Sequence, residues 1–327
     1  MSVLQRSEHG LYCPAADAWI DPWHPVRRAL ITHAHADHAR AGCDEYWAVK
    51  QSEGILRQRL GKTIHLNAVE YREQLKLGEA LISFHSAGHV LGSAQIRFEV
   101  QQDVWVVTGD FKRCNDPSCT PFEVVPCDVL ITESTFGLPI YQWESGTDIA
   151  KQIREWWRSE TKNPSLLFCY SFGKAQRILA ELNAIGVKDQ ILLHGAVETI
   201  TRHYRQAGIR MTPSCALSEL SRKESLDGRL ILAPPSAYRS SWMRRFKTPQ
   251  TAFASGWMQV RGVRRRRGYE TGFVMSDHAD WKSLIQTVKE SQAKRVYVTH
   301  GQTDVVSRYL SEIEGIEAMP LQDLGGA

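Results

Sequence analysis

His33-Ala34-His35-Ala36-Asp37-His38 follows directly on the apolar stretch Ala29-Leu30-Ile31-Thr32. Three imidazoles and a carboxylate in so short a run read as a metal site at the end of a β-strand. Neutral imidazole is the commonest metal ligand. From an extended backbone His33 and His35 project to the same side, while Asp37 and His38 lie on the turn that follows. Four such groups exceed what one ion takes comfortably, so two ions are expected. Paired cations roughly 3.5–4 Å apart are the recurring apparatus for hydrolysing phosphate esters. The plain alternative is a surface cluster of histidines without an ion, and a carboxylate inside so tight a spacing speaks against it.

Closing two metal shells takes further ligands, and the chain offers three at strand ends or turns. His89 sits in Ser86-Ala87-Gly88-His89-Val90-Leu91-Gly92-Ser93, where the glycines are expected to let the backbone approach the ion. Asp110 follows Val106-Val107-Thr108-Gly109, and His300 ends Val296-Tyr297-Val298-Thr299. Each alone reads as an ordinary loop or core polar residue. Together they repeat one design, an apolar strand delivering a ligand at its C-terminal end.

Around these motifs the first 135 or so residues alternate short β-rich runs with turn signals: 19–20, 29–32, 46–49, 80–84, 94–100, 104–108 and 129–132. A helix is expected to open near His38, and another spans 53–60. From about residue 145 the pattern becomes helix (148–159), strand (166–170), helix (175–185) and strand (191–193), a compact α/β unit. Strands at 272–275 and 295–299, with a helix at 281–290 between them, are expected to return to the first domain. The expected division is therefore residues 1–136 and 263–327 for one domain, with 137–262 inserted between them.

The 327 residues, 43% of them hydrophobic, suffice for two cores, and nothing in the composition suggests disorder. No apolar segment approaches the roughly 20 residues of a membrane helix, and the N-terminus lacks a hydrophobic signal core, so no membrane and a cytoplasmic location are expected. Seven cysteines (13, 43, 114, 119, 127, 169 and 215) form no Cys-x-x-Cys pair, which argues against a disulfide framework or a cysteine zinc site. A net charge of +4 requires no nucleic-acid partner by itself. The distribution says more: basic residues concentrate at 239–247 and in Arg261-Gly262-Val263-Arg264-Arg265-Arg266-Arg267, with Trp242, Phe246, Trp257 and Tyr269 interleaved. Charge runs are commonly solvated faces, yet arginines among aromatics are what a single strand of nucleic acid needs for phosphate neutralisation and base stacking.

The His-x-His-x-Asp-His run with a distant His, Asp and His resembles the metallo-β-lactamase superfamily over essentially the whole chain. The resemblance implies an α/β fold, the metallo-β-lactamase αββα sandwich, with an inserted α/β domain of β-CASP type. It implies that His33, His35 and His89 hold one ion, that Asp37, His38 and His300 hold the second, and that Asp110 bridges them. Asp21, in Ile20-Asp21-Pro22, matches the carboxylate that supports the metal ligands from behind. The insert resembles that of the nucleic-acid-cleaving branch. There Glu133, in Ile131-Thr132-Glu133-Ser134, and His278, in Ser276-Asp277-His278-Ala279-Asp280, match its acidic and histidine motifs. A carboxylate beside an imidazole keeps it protonated, which suits the pair to a leaving oxygen.

Bacterial ligase-associated DNA exonucleases resemble this chain most closely, in Cys169-Tyr170-Ser171-Phe172-Gly173-Lys174-Ala175-Gln176-Arg177, in Ala254-Ser255-Gly256-Trp257-Met258 and in Gly272 to Trp281. The first of these lies between a strand and a helix, where free N–H groups, Ser171 and Lys174 can cradle a phosphate. A simple strand-to-helix turn is the alternative. The expectation is thus a phosphodiesterase, a DNA exonuclease of DNA repair using two Zn²⁺ and an activated hydroxide, with Mn²⁺ able to replace the zinc. Asp37, Asp110, His278, Glu133 and Asp21 are its expected catalytic groups. Ser171, Lys174 and Arg264, Arg265, Arg266 and Arg267 are its expected phosphate contacts. Its expected partner is DNA, single-stranded or with exposed ends, and the resemblance adds functional association with an ATP-dependent DNA ligase and a helicase. An RNA-processing ribonuclease of the same architecture is the first alternative, and a catalytically silent nucleic-acid-binding subunit the second. A small-molecule hydrolase shares the metal motif but leaves the basic, aromatic insert without purpose.

Overall fold

The computed structural model describes residues 2–221, 224–260, 262 and 268–325. The expected phosphate contacts Arg264 to Arg267 lie outside the described residues. The chain divides into two compact units. Met1–Cys114, Thr120–Gln142 and His278–Ala327 form the first, and Asn115–Cys119 with Trp143–Asp277 the second. The second unit therefore ends later than the expected 262. Its last strand, Thr271–Phe273, had been expected to return to the first domain, but it pairs in parallel with Gln250–Ala254 of the second unit.

Two sheets build the first unit, and period-two alternation explains how they layer. The smaller runs in chain order from Gln5–Ser7 through Gly10–Cys13, Ala18–Ile20, Arg28–Leu30 and Glu45–Val49 to Leu66–Val69. In the larger, seven-stranded sheet Val129–Ser134 lies between Asp103–Val107, the central strand, and Arg295–Gly301. Successive side chains of a strand face opposite sides. Accordingly Trp105, Val107, Val129, Ile131 and Tyr297 enter one core with Leu11, Ile20, Leu30 and Val49 of the smaller sheet. Their neighbours Val106, Leu130, Val296 and Val298 enter another. That second core is closed by Leu284, Ile285 and Val288 of helix Trp281–Ser291 and by Val306 and Leu310 of helix Thr303–Glu312. Buried on both faces, the central strands read as continuous apolar runs.

The second unit is a six-stranded, wholly parallel sheet in the order 214–216, 191–193, 230–233, 165–168, 250–254, 271–273. Leu167, Leu232, Ala252 and Ala254 pack against Ile149, Ile153, Trp157, Ile178 and Val197 from helices Gly146–Arg158, Lys174–Ala184 and Gly195–Gln206. Phe168, Ile231 and Phe253 face the opposite core. Ser145 caps the first of these helices by accepting from Asp148 N at 3.1 Å. All seven cysteines are free. No helix among the described residues is long and apolar enough to cross a membrane.

Candidate metal centre

Asp103–Val107, Val129–Ser134 and Arg295–Gly301 are mutually parallel, and two antiparallel steps through Ala94–Val100 bring Ala80–Ser86 into the same sense. Four C-terminal strand ends therefore share one edge, and from that edge the chain presents His89, Asp110, Glu133 and His300. The histidine run is delivered by the other sheet, just beyond Arg28–Leu30. No helix opens at His38. A single turn does, closed by His38 N and Ala39 N donating to His35 O at 3.2 and 2.9 Å.

His33 Nε2 lies 3.0 Å from His35 Nδ1, and His89 Nε2 lies 3.2 Å from the same atom. Asp110 Oδ2 stands 3.5 Å from His33 Nε2 and 3.8 Å from His89 Nε2. One donor atom from each of these four residues falls within 4.8 Å of the others. Ligand bonds of about 2.0–2.1 Å arranged tetrahedrally put neighbouring donors about 3.3 Å apart, so three nitrogens and one carboxylate oxygen at these spacings fit a single cation. Asp110 Oδ2 is also 3.5 Å from His38 Nε2, which in turn lies 3.9 Å from Asp37 Oδ2. The His300 ring centroid is 5.7 Å from that of His38. This second group is the more open one: the Asp37 side chain is 76% exposed and His300 is exposed, whereas His33, His38, His89 and Asp110 are buried.

Behind the candidate ligands, Asp21 fixes the run. Its Oδ1 accepts from Thr32 N at 2.8 Å, and its Oδ2 accepts from Thr32 Oγ1 at 2.5 Å and faces His38 Nδ1 at 2.7 Å. With Nδ1 held there, the lone pair of His38 belongs on Nε2, the atom turned to Asp110. Thr32 Oγ1 lies 3.1 Å from His33 Nδ1 and does the same for that ring. Sequence reasoning passed over Thr32, although a hydroxyl directly before the first ligand was the available signal. Arg59, which donates to Ala34 O, had no signal at all.

The electrostatics suit cation binding. Burial, reinforced by the positive charge of neighbouring imidazoles, pushes His33 well below the ordinary histidine value and leaves it neutral with a lone pair. At His38 burial acts in the same sense but is outweighed by Asp110 and Asp21, which raise its pKa to about 10. Burial would raise Asp110, and His38 and His278 outweigh it, holding the carboxylate ionised. The negative charge that holds a proton on His38 would hold a cation there equally, with release of that proton.

His278 Nδ1 lies 2.9 Å from Glu133 Oε2 and 4.0 Å from Asp110 Oδ2. Glu133 is anchored in turn by Phe111 N, donating at 2.8 Å, and Thr135 Oγ1, donating at 2.6 Å. The glycines around His89 serve a different end from the one expected. A Cβ on Gly88 would come within 2.3 Å of Lys112 O, and one on Gly92 within 2.4 Å of Ser52 N, so they admit neighbouring backbone.

In the second unit the expected phosphate cradle is otherwise engaged. Lys174 is buried, with Nζ 2.8 Å from Asp277 Oδ2. Gly173 N donates to Gln176 Oε1 at 2.8 Å, and Gln176 Nε2 donates to Ser171 O at 3.0 Å, so the turn satisfies itself. The Lys174 ammonium is thus committed to a buried carboxylate, and Ser171 is half-buried.

No protein-family profile matches the chain. It is 31% identical over 318 residues, 96% of its own length and 30% of the relative's, to a protein of Opitutus terrae named Probable DNA ligase. To Endoribonuclease YSH1 of Eremothecium gossypii it is 28% identical over 160 residues, 48% of this chain and 19% of that one. To an RNase J-like protein of Methanocaldococcus jannaschii it is 29% identical over 124 residues, 36% of this chain and 30% of that one. The chain thus spans less than a third of the length of each of these relatives. A solved structure of a protein of unknown function from Enterococcus faecalis V583 matches with a TM-score of 0.62 over 89% of this chain and 78% of that one at 11% identity, a likeness of fold. A histidine and aspartate cluster at a shared strand edge, together with these relatives, gives the conclusion that the chain belongs to the metallo-β-lactamase/β-CASP superfamily.

Proposed function

We propose that the protein is a metal-dependent phosphodiesterase acting on DNA, with the nuclease centre at Asp110. The observation that carries this reading is the position of one carboxylate oxygen, Asp110 Oδ2, 3.5 Å from both His33 Nε2 and His38 Nε2. From there Asp110 would serve both ligand groups if cations were bound, one group of His33, His35 and His89, the other of Asp37, His38 and His300. The imidazole-rich donor set suits Zn²⁺, with Mn²⁺ as a replacement. Cations bound there supply Lewis-acid polarisation of a phosphoryl oxygen and a water acidified toward neutrality. Asp110 keeps the two ligand groups in register, and Asp21 keeps His38 in the tautomer that can bind. Glu133 holds the Nδ1 side of His278, orienting the ring to give a proton to the departing sugar oxygen.

The fold reading goes with it: two sheets sharing a core, with helices over the larger one, support an αββα sandwich interrupted by a β-CASP-type domain at 143–277. DNA is favoured over RNA because the relative matched along 96% of this chain is named a probable DNA ligase, whereas the RNA-named relatives quoted above match half of it or less. The same match supports work beside a DNA ligase, and the resemblance alone adds a helicase. RNA cleavage is the second reading, favoured by those endoribonuclease and RNase J-like names. Incubation with matched 5′- and 3′-labelled DNA and RNA oligonucleotides, with metal counting on the same preparation, tests both. Cleavage of DNA that disappears in His89→Ala and Asp110→Asn supports the proposal. Cleavage of RNA alone replaces it with the second reading, and undiminished cleavage by the variants removes the centre from the mechanism.

A further inference from the structure

A cavity of about 100 Å³ is lined by Asp37, His38 and His300, by apolar side chains such as Leu11 and Leu321, and by the indole of Trp23. Trp23 is 54% exposed, although an indole carries a large apolar surface that folding normally covers. The backbone that carries it is nonetheless fixed. Trp23 N donates to His9 O at 2.9 Å. It stands in Asp21-Pro22-Trp23-His24-Pro25, between two prolines of fixed φ and two residues from the carboxylate that locks His38. Gly10 lies beside it: a Cβ there would sit 3.8 Å from Cδ2 and Cε2 of the indole, so the glycine leaves that side of the ring uncrowded.

An aromatic ring on a fixed stretch of backbone, open to solvent and sharing a cavity with the expected cation ligands, is a platform for a flat partner. Only the two side-chain torsions of an indole need ordering when such a partner settles on it. We propose that Trp23 stacks the nucleobase adjacent to the phosphate held at the histidine cluster, an inference that rests on the nuclease reading above. Every base presents a π-face, so such a platform favours single-stranded ends without choosing among sequences.

Phosphorothioate-linked single-stranded oligonucleotides carrying 2-aminopurine at successive positions from the end test this, with the metal-loaded protein. Stacking on an indole quenches 2-aminopurine. The expected result is quenching at one position with the wild type, kept by Trp23→Phe and lost by Trp23→Leu. Dissociation constants for Trp23→Leu should rise roughly 5- to 150-fold. An abasic residue at the quenched position should cost the wild type the same factor and Trp23→Leu almost nothing. Equal quenching and affinity in wild type and Trp23→Leu, with both folded by circular dichroism, overturns the platform and leaves the nuclease reading standing. Failure of the wild type to bind any of the oligonucleotides overturns both.

Discussion

Asp21→Asn isolates what one carboxylate does for the metal centre. Asp21 has a φ of 43°, a left-handed conformation that Asn tolerates better than most residues, so the substitution leaves the backbone at ease where Ala would add strain. The side chain is another matter. Asp21 now accepts three hydrogen bonds, from Thr32 N at 2.8 Å, Thr32 Oγ1 at 2.5 Å and His38 Nδ1 at 2.7 Å. If the amide oxygen stays on Thr32 N, the amide NH₂ confronts His38 Nδ1 and must donate to it. The His38 proton then moves to Nε2, which faces Asp110, and the lone pair a cation needs is gone. If the amide turns over, His38 is satisfied but Thr32 N–H meets another donor, and an unsatisfied buried donor costs about 1–3 kcal/mol.

Either way the site is weakened, and loss of such a supporting partner typically costs about 10- to 100-fold in metal affinity. Competition with a chromophoric chelator measures it. The metal-free protein gives an independent reading. His38 has its pKa raised to about 10, against about 6.5 unfolded, so its stabilising contribution is complete below pH 6.5 and fades as pH rises toward 10. Because Asp21 is one of the charges behind that shift, Asp21→Asn should flatten this part of the urea stability profile. Wild-type metal affinity in Asp21→Asn, together with an unchanged profile between pH 6 and 10, would refute the tautomer argument.

Two further outcomes follow from buried groups elsewhere. Arg177 lies with its guanidinium 3.6 Å from both Asp116 and Asp277 and 3.9 Å from Glu181, all with side chains under a tenth exposed. Arg177→Met should therefore destabilise the protein by about 3–5 kcal/mol in urea unfolding, and a loss under 1 kcal/mol would remove the network from the stability of the second unit. Burial pushes the thiols of Cys13, Cys127 and Cys169 up to about 11, 12 and 12, so at pH 8 about a thousandth or less of each is thiolate. A thiol reagent should label these three only in urea, and stability should fall as pH rises past about 9, where the unfolded thiols ionise first. Rapid native labelling of Cys169, read by peptide mass, would contradict the burial.

What the sequence disclosed and what it withheld separate along one physical line. Strands such as Ala94–Val100 and the helix Glu53–Leu60 could be bounded from local pattern alone, because alternation and a closing glycine such as Gly61 are written in neighbouring residues. His89, Asp110 and His300 lie far apart in the chain, yet each follows an apolar strand, and strands running in one sense must end at one edge. That regularity made a long-range cluster legible without knowing any contact. Lys174 had no such regularity. At a strand-to-helix turn a lysine can meet a phosphate or a buried carboxylate, and the choice was made by Asp277, a residue from the far end of the second unit. The edge of that unit was misplaced for the same reason, since whether Thr271–Phe273 joins one sheet or another depends on Ala252–Ala254 and not on its own composition. Helix Gly195–Gln206 went unseen because His194 caps it, with Nδ1 accepting from Ala196 N at 3.1 Å, where a serine or aspartate would have announced it. Side chains repeated at the ends of strands running in one sense are therefore readable from sequence as a cluster, while a single side chain whose role depends on one distant partner becomes readable only once the fold has brought the two together.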